Sequence, residues 1–481
     1  MKHNVGGWPA QFDCTEPNEV AKYMRRLQKE PQLGFAPATK DLVGGATRCI
    51  RQNNQLDLFE EYFEGEEPEH MSEPITTKTI MIFKDPNSIK RAVTKIAWHP
   101  ETTELRVGTT YAQLRFQQQP PNMPKESYIW NLNNPNTPEK TLDPTSPLCT
   151  LAFSQKLTDN IAAGAYNGSL QFFDMKRGSS DGKLKPYKTT ILEQSHHDPV
   201  YDIYWCAGKT GTELVSTSTD GRILWWDTKM LDNGPTEELV LEEHFDIDGQ
   251  KVSKVLGGTC LEYNAEHSAL KFLVGTEQGF AIQASRRQKK VEVTHHFGIE
   301  AGKHHGPIYA CQRNPANLKY FLTVGDWSAK IWCEEHQQHP IMQTRYHNAY
   351  LTDGCWSPTR TGLFFLTRTD GFLDVWDFYY RQNEVAYSQK VSDCMLTSIS
   401  IAAQMAAIGD ADGTVSMTNL SRNLWDPTLQ PNEKDIMAQI FDREFRREKQ
   451  LHQNKVQAAK AAKSKVVKEG PSKEKIAQKL E

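Results

Sequence analysis

Thr369-Asp370-Gly371-Phe372-Leu373-Asp374-Val375-Trp376-Asp377 is the stretch that decides the architecture. An Asp-Gly dipeptide, which accepts the positive φ of a tight hairpin, opens into an apolar-rich strand that ends on Trp-Asp. Thr219-Asp220-Gly221-Arg222-Ile223-Leu224-Trp225-Trp226-Asp227 repeats the pattern, and so does Gly325-Asp326-Trp327-Ser328-Ala329-Lys330-Ile331-Trp332. Weaker copies run from Tyr166-Asn167-Gly168 to Asp174, from Glu277-Gln278-Gly279 to Ile282 and from Ala411-Asp412-Gly413 to Met417. Ser127-Tyr128-Ile129-Trp130 is a degenerate copy without the turn. The equivalent strand ends fall at positions 130, 173, 226, 284, 332, 376 and 418, at intervals of 42 to 58 residues.

That spacing fits a WD-type repeat of about 40–45 residues with insertions. Each copy is preceded by further strands, among them Val93–Trp98, Leu148–Phe153, Val200–Trp205, Thr259–Tyr263, Ile308–Arg313, Leu351–Trp356 and Cys394–Ile401. Seven units of about four short strands predict an all-β, seven-bladed β-propeller over residues 78–425. The last unit lacks an obvious fourth strand, while Thr79–Phe83 is a spare β-rich run ahead of the first. This run is therefore expected to close the ring. Trp226, Trp332 and Trp376 are read as packing between blades. In WD-repeat proteins a His before the blade joins the turn Asp through a Ser or Thr. Here that predicts the structural pairs His197–Asp220, His305–Asp326 and His347–Asp370.

Composition narrows the function classes. The 481 residues carry 38% hydrophobic side chains and a net charge of −4, so a large core is available and a basic nucleic-acid-binding coat is not. The nine cysteines are scattered singly, without a CxxC pair. A disulfide framework or zinc knuckle is not expected, and a reducing compartment fits better. The N-terminus has no apolar signal region. The weakly apolar stretch Ile399–Ile408 is far short of the roughly 20 residues of a membrane span, so no membrane role is read. Gly208-Lys209-Thr210 mimics the end of a phosphate-binding loop, but Ile203 stands where its first glycine is required. No HExxH, GxSxG or strand-linked GxGxxG occurs. Catalysis, cofactor and metal have no support in the sequence.

Two flanks surround the repeats. Within residues 1–77, Lys40 to Phe63 reads as a helix with Leu42, Ala46, Ile50, Leu56 and Phe59 on roughly one face. An acidic run follows, from Asp57 to Glu73 without Lys or Arg. Residues 426–481 read as a basic helix and tail, with Ile436, Ile440, Phe441 and Phe445 as a short stripe.

Several motifs lie outside the generic repeat: Gly6-Gly7-Trp8-Pro9, Arg51-Gln52-Asn53-Asn54 with Glu60-Glu61-Tyr62-Phe63, Ser195-His196-His197-Asp198-Pro199-Val200-Tyr201, Val274–Gly279, Tyr346-His347-Asn348-Ala349-Tyr350-Leu351-Thr352-Asp353, and Asn432-Glu433-Lys434 leading to Phe441-Asp442-Arg443-Glu444. In these the chain resembles the intermediate chains of axonemal outer-arm dynein over nearly its whole length. The resemblance implies a non-catalytic scaffold in cilia or flagella, with a cytoplasmic assembly pool. Its implied partners are a dynein heavy chain, a second intermediate chain and light chains, with the microtubule axoneme contacted indirectly. It points to roadblock-type light chains on the helix before the propeller, at Leu42, Ala46, Ile50, Leu56 and Phe59. Trp327 and Tyr350, both near blade turns, are the candidate heavy-chain contacts. The family carries more residues before the Gly-Gly-Trp-Pro motif and a longer acidic tail, so part of the light-chain-binding region is expected to be missing here. The rival reading is a propeller adaptor in a ubiquitination or chromatin complex.

Overall fold

The computed structural model describes residues 13, 15–29, 35–55, 75–101, 105–113, 122–177, 182–208, 210–247, 250–264, 266–287, 290–298 and 302–469. Seven antiparallel sheets follow one another along the chain as the blades of a β-propeller. Their innermost strands are Ala92–Trp98, Leu148–Phe153, Val200–Trp205, Gly258–Tyr263, Ile308–Arg313, Leu351–Trp356 and Leu396–Ala402. Each touches the innermost strands of the two neighbouring blades, and the seventh meets the first.

The ring is closed by two strands far apart in the sequence. Strand Thr77–Lys84 pairs antiparallel with Thr414–Leu420 as the outer strand of blade 7. Its Phe83 is fully buried and stacks on Trp130 of blade 1 at 5.1 Å. Two insertions decorate the ring. Lys183–Leu184 adds a parallel fifth strand to blade 1, and a hairpin, Glu242–Ile247 with Gln250–Val255, stands between blades 3 and 4.

Every innermost strand carries a register shift near its start, at Thr94, Cys149, Tyr201, Thr259, Tyr309, Thr352 and Thr397. Such bulges bend the strand and re-aim one side chain. Three bulge threonines donate to a carbonyl at the start of the next blade's inner strand. Thr94 reaches Leu148 O at 3.5 Å, Thr397 reaches Val93 O at 2.6 Å, and Thr259 reaches Ile308 O. Tryptophans at the other end of these strands donate backwards. Trp98 Nε1 bonds Ser400 O, Trp205 Nε1 bonds Ala152 O, and Trp356 Nε1 bonds Gln312 O, at 3.1–3.3 Å. Turn glycines add a further inter-blade fit. A Cβ on Gly168 or Gly279, both at positive φ, would stand 2.0–2.2 Å from the carbonyl oxygen of His196 or His304 in the following blade.

Four α-helices lie among the described residues: α1 (Pro17–Lys29), α2 (Phe35–Gln55), α3 (Arg422–Trp425) and α4 (Glu433–Glu469). The helix expected over Lys40–Phe63 therefore begins five residues earlier. Pro37 falls in its first turn, where a missing N–H costs nothing. Leu56 and Phe59 lie outside the described residues. α4 is not a free flank. Met437 and Phe441 are fully buried in one core with Tyr320, Trp356 and Phe364. The Glu433 carboxylate accepts from Arg360 Nε at 3.0 Å and from Gly362 N at 2.9 Å. The same guanidinium reaches Asp377 at 2.8 Å, with both side chains about 1% exposed. Asp442 accepts from Tyr320 Oη at 2.6 Å and from Lys319 Nζ at 2.9 Å.

Candidate functional site

Buried His–Asp pairs fix the turns at one end of the blades. In blade 3 the buried ring is that of His196. Its Nδ1 lies 3.1 Å from Asp220, its Nε2 2.8 Å from Ser216 Oγ, and that hydroxyl also accepts from Trp226 Nε1 at 2.9 Å. In blade 5 the equivalent set is His304, Thr323, Trp332 and Asp326. Thr323 Oγ1 stands 2.9 Å from both His304 Nε2 and Trp332 Nε1. The expected partners His197 and His305 contribute only their backbone N–H groups, donated to Asp220 at 3.1 Å and to Asp326 at 2.9 Å. The correction has a simple cause. Each blade offers two adjacent histidines, and the inward one stands four residues before its inner strand, as His347 stands before Leu351. That spacing selects His196 before Val200 and His304 before Ile308.

Blade 6 departs further. His347 Nδ1 bonds Asp374 at 2.7 Å, not Asp370, which pairs with Arg368. Strand register explains it. Opposite Asp374 stands Leu366, at the position of Ser216 and Thr323, so no hydroxyl links the histidine to the tryptophan, and the Ser388 hydroxyl donates to Asp374 alone. His347 Nε2 and Trp376 Nε1 are accordingly buried without a partner. The turn carboxylates feel these contacts. Burial alone would raise Asp220 and Asp326, but the adjacent histidine and backbone N–H groups hold both below the usual carboxylate range.

Around the turns lies an aromatic patch. Trp327 follows Asp326, a non-glycine residue at φ 51°, and is 44% exposed. It meets Tyr350 edge-on at 5.3 Å, and Tyr350 meets Tyr309 edge-on at 6.1 Å. Gly306 makes room for this: a Cβ there would stand 2.1 Å from the Tyr350 hydroxyl. Tyr346, in the loop before blade 6, is also exposed. Among the candidate heavy-chain contacts, Trp327 and Tyr350 are thus brought together on one accessible surface.

The inner strands also line a cavity of about 520 Å³ along the propeller axis. Sequence reading missed its ionisable lining, because each acid sits in a different repeat. Lys95 Nζ pairs with Asp202 at 3.1 Å, and Asp202 also accepts from Leu261 N of blade 4. Asp353 accepts from Ile399 N of blade 7, and Glu262 from Arg313 N of blade 5. Burial would lower the Lys95 ammonium, yet Asp202 and Asp353 outweigh it and the net shift is upward. Burial raises Glu262 to about 7 and Asp353 to about 6. Each acid joins one blade to the next, so the geometry is that of a stitched ring. Among the described residues no three His, Cys, Asp or Glu side chains are placed to enclose a metal ion. No described helix is long and apolar enough to cross a membrane.

On α2, Leu42, Ala46 and Ile50 fall on one face and all are exposed, Leu42 by 72% and Ile50 by 58%. Val43 is exposed beside them.

Residues 258–420, from the inner strand of blade 4 to the third strand of blade 7, match the family model "Dynein axonemal intermediate chain 3 WD40 domain". Similarity to whole proteins reaches further. The flagellar outer-arm dynein 70 kDa intermediate chain of Chlamydomonas reinhardtii is 40% identical over 472 residues, 98% of this chain and 79% of the relative. The chain belongs to the axonemal dynein intermediate chains. Human dynein axonemal intermediate chain 2 is 41% identical over 94% of this intermediate chain and 72% of its own length. The ciliary dynein intermediate chain 3 of Heliocidaris crassispina is 39% identical over 94% and 73%. As an intermediate chain, the protein is a subunit of a dynein complex, and its WD-repeat propeller is the family's structural module.

Proposed function

We propose that the protein is a non-catalytic scaffold of the ciliary or flagellar outer dynein arm. Its propeller grips the tail of a dynein heavy chain, beside a second intermediate chain. Its α2 segment carries a roadblock-type light chain. The assembled motor meets the axonemal microtubule through other subunits, after a cytoplasmic assembly stage. The observation that carries this reading is the near full-length similarity to outer-arm intermediate chains, together with two exposed apolar surfaces. One is the Trp327–Tyr350–Tyr309 patch, and aromatic side chains anchor helices and peptides well. The other is the Leu42–Ala46–Ile50 face. An isolated helix of this kind needs a groove to bury its stripe.

Co-precipitation from ciliated or flagellated cells tests both halves separately. Trp327→Ala with Tyr350→Ala should weaken heavy-chain recovery by 30-fold or more, a loss of about 2 kcal/mol or more for a central anchor. Leu42→Asp with Ile50→Asp should remove the light chain and leave the heavy chain bound. Retention of the heavy chain by the first variant moves the contact to another surface. Absence of any dynein heavy chain with the unmodified protein favours the adaptor reading instead.

A further inference from the structure

Tyrosine breaks a pattern at the start of the innermost strands. The bulge residue there is Thr in four blades and Cys149 in blade 2, but Tyr201 in blade 3 and Tyr309 in blade 5. Blade 4 stands between these two, and the exposed Glu277 lies in its turn after strand Lys271–Thr276. A Cβ on Gly257 would stand 3.1 Å from Glu277 Oε2, so the carboxylate lies back over the entry to blade 4's own inner strand. Burial first, then Cys149 and Glu277, push the Tyr201 hydroxyl up to about 12. Burial chiefly raises Tyr309 as well, and Glu277 adds to it. One carboxylate is thus within electrostatic reach of both phenols, and it forms no ion pair among the described residues. Tyr309 leads on to Tyr350 and Trp327 through the edge-on contacts at 6.1 and 5.3 Å. It also lines the axial cavity, where Asp202, Asp353 and Glu262 outnumber Lys95. Aromatic faces attract cations, and an uncompensated carboxylate beside an acid-rich cavity adds a field of the same sign.

We propose that Tyr201, Glu277 and Tyr309 receive the side chain of one arginine from the partner segment that lies on the Trp327–Tyr350 patch. This rests on the reading of that patch as a partner-binding surface, and it names the chemistry the partner presents there: apolar side chains next to a guanidinium. The planar guanidinium stacks on a tyrosine ring and forks onto the Glu277 carboxylate, which a lysine ammonium cannot do. The apolar neighbours cover Tyr350 and Trp327.

The test uses the purified full-length chain and two acetylated, amidated tripeptides, leucine–arginine–leucine and its uncharged counterpart with citrulline, followed by saturation-transfer NMR observed on the peptide. The arginine peptide should bind saturably, and the citrulline peptide more weakly by about fivefold or more. Glu277→Gln, a change at an exposed turn, should abolish that preference. Tyr201→Ala with Tyr309→Ala should weaken the arginine peptide by about tenfold. Glu292→Gln, on the outer strand of the same blade, should change neither peptide. Equal binding of the two peptides, no saturable binding, or a preference unmoved by Glu277→Gln overturns the proposal. Heavy-chain co-precipitation separates it from the reading beneath it, since Glu277→Arg should lower recovery by about tenfold. Peptide discrimination with heavy-chain recovery unchanged by Glu277→Arg upholds the arginine site and refutes only the heavy-chain placement.

Discussion

Thr323→Val tests whether the buried His–Thr–Trp set of blade 5 is a cross-link or a passive packing feature. The two side chains have nearly the same shape, so the change removes one hydroxyl and opens no cavity. That hydroxyl lies 2.9 Å from both His304 Nε2 and Trp332 Nε1, and all three residues are almost fully buried. Two nitrogens lose their partner at about 1–3 kcal/mol each, offset by about 1 kcal/mol for the added methyl. The expected loss is about 1–5 kcal/mol. With an unfolding entropy of about 2.1 cal/mol/K per residue over roughly 400 ordered residues, the Tm should fall by about 1–6 °C. Calorimetry and urea titration at pH 7 measure it. The reciprocal change is Leu366→Thr in blade 6, where the same two nitrogens are already unpartnered. Lost apolar burial of about 2 kcal/mol is there offset by two new hydrogen bonds, so the net change should stay within about 1 kcal/mol. Leu273→Thr, with no such nitrogens to satisfy, should cost the usual 2–4 kcal/mol or so of a core truncation. A Thr323→Val change below about 0.5 kcal/mol would refute the cross-link.

Further outcomes follow from the channel, α4 and the closing strand. Burial holds Glu262 protonated up to about pH 7, so the folded state binds a proton that the unfolded chain releases near 4.5. Stability therefore declines as pH rises between those values, and Glu262→Gln should flatten that slope and gain about 2–3 kcal/mol at pH 8, read by denaturant titration at several pH values. An unchanged slope would assign the pH dependence elsewhere. Arg360→Met leaves Asp377 and Glu433 buried without their cation and should cost about 3–5 kcal/mol, with faster proteolysis around the start of α4. Phe83→Ala should cost about 3–5 kcal/mol. Removal of residues 1–86 should open the ring and lower the Tm sharply, and equal melting of the two forms would show that the seventh blade closes without that strand.

The propeller was legible because its signals repeat. Thr219–Asp227 and Thr369–Asp377 carry the turn chemistry and the strand in one short run, and the blade period then locates the weaker copies. The spare strand before blade 1 was legible because blade 7 was one strand short. What the repeat hid were contacts between repeats. The choice between His196 and His197 depends on which ring turns inward, a matter of register against the next inner strand. Asp374 takes His347 Nδ1 in place of Asp370, which pairs with Arg368, and Leu366 leaves Nε2 without a hydroxyl, differences visible only once the strands are aligned. The docking of α4 rests on Arg360 and Glu433, 73 residues apart, and nothing in the helix's own composition announces that pair. The surface residues were the least legible. Trp327 reads equally as a blade-packing or an exposed residue until Asp326 is found in its left-handed turn.

Closure by the first strand also sets a clock. Thr76 N bonds Ser421 Oγ at 3.3 Å across 345 residues of chain. At a synthesis rate of about 5–20 residues per second, the closing strand waits roughly 17–70 s for its partner to leave the ribosome. During that interval Thr77–Lys84 is an unpaired edge carrying Ile80 and Ile82, both more than half exposed even in the finished ring. Blade 1 meanwhile waits for the blade 7 wall that buries Phe83 against Trp130. An unpaired apolar strand is a template for pairing with the wrong chain. The period of greatest hazard for this protein thus falls before any partner subunit can meet a finished surface, and a factor that shields the first strand during synthesis would raise the yield of closed rings without adding to their final stability.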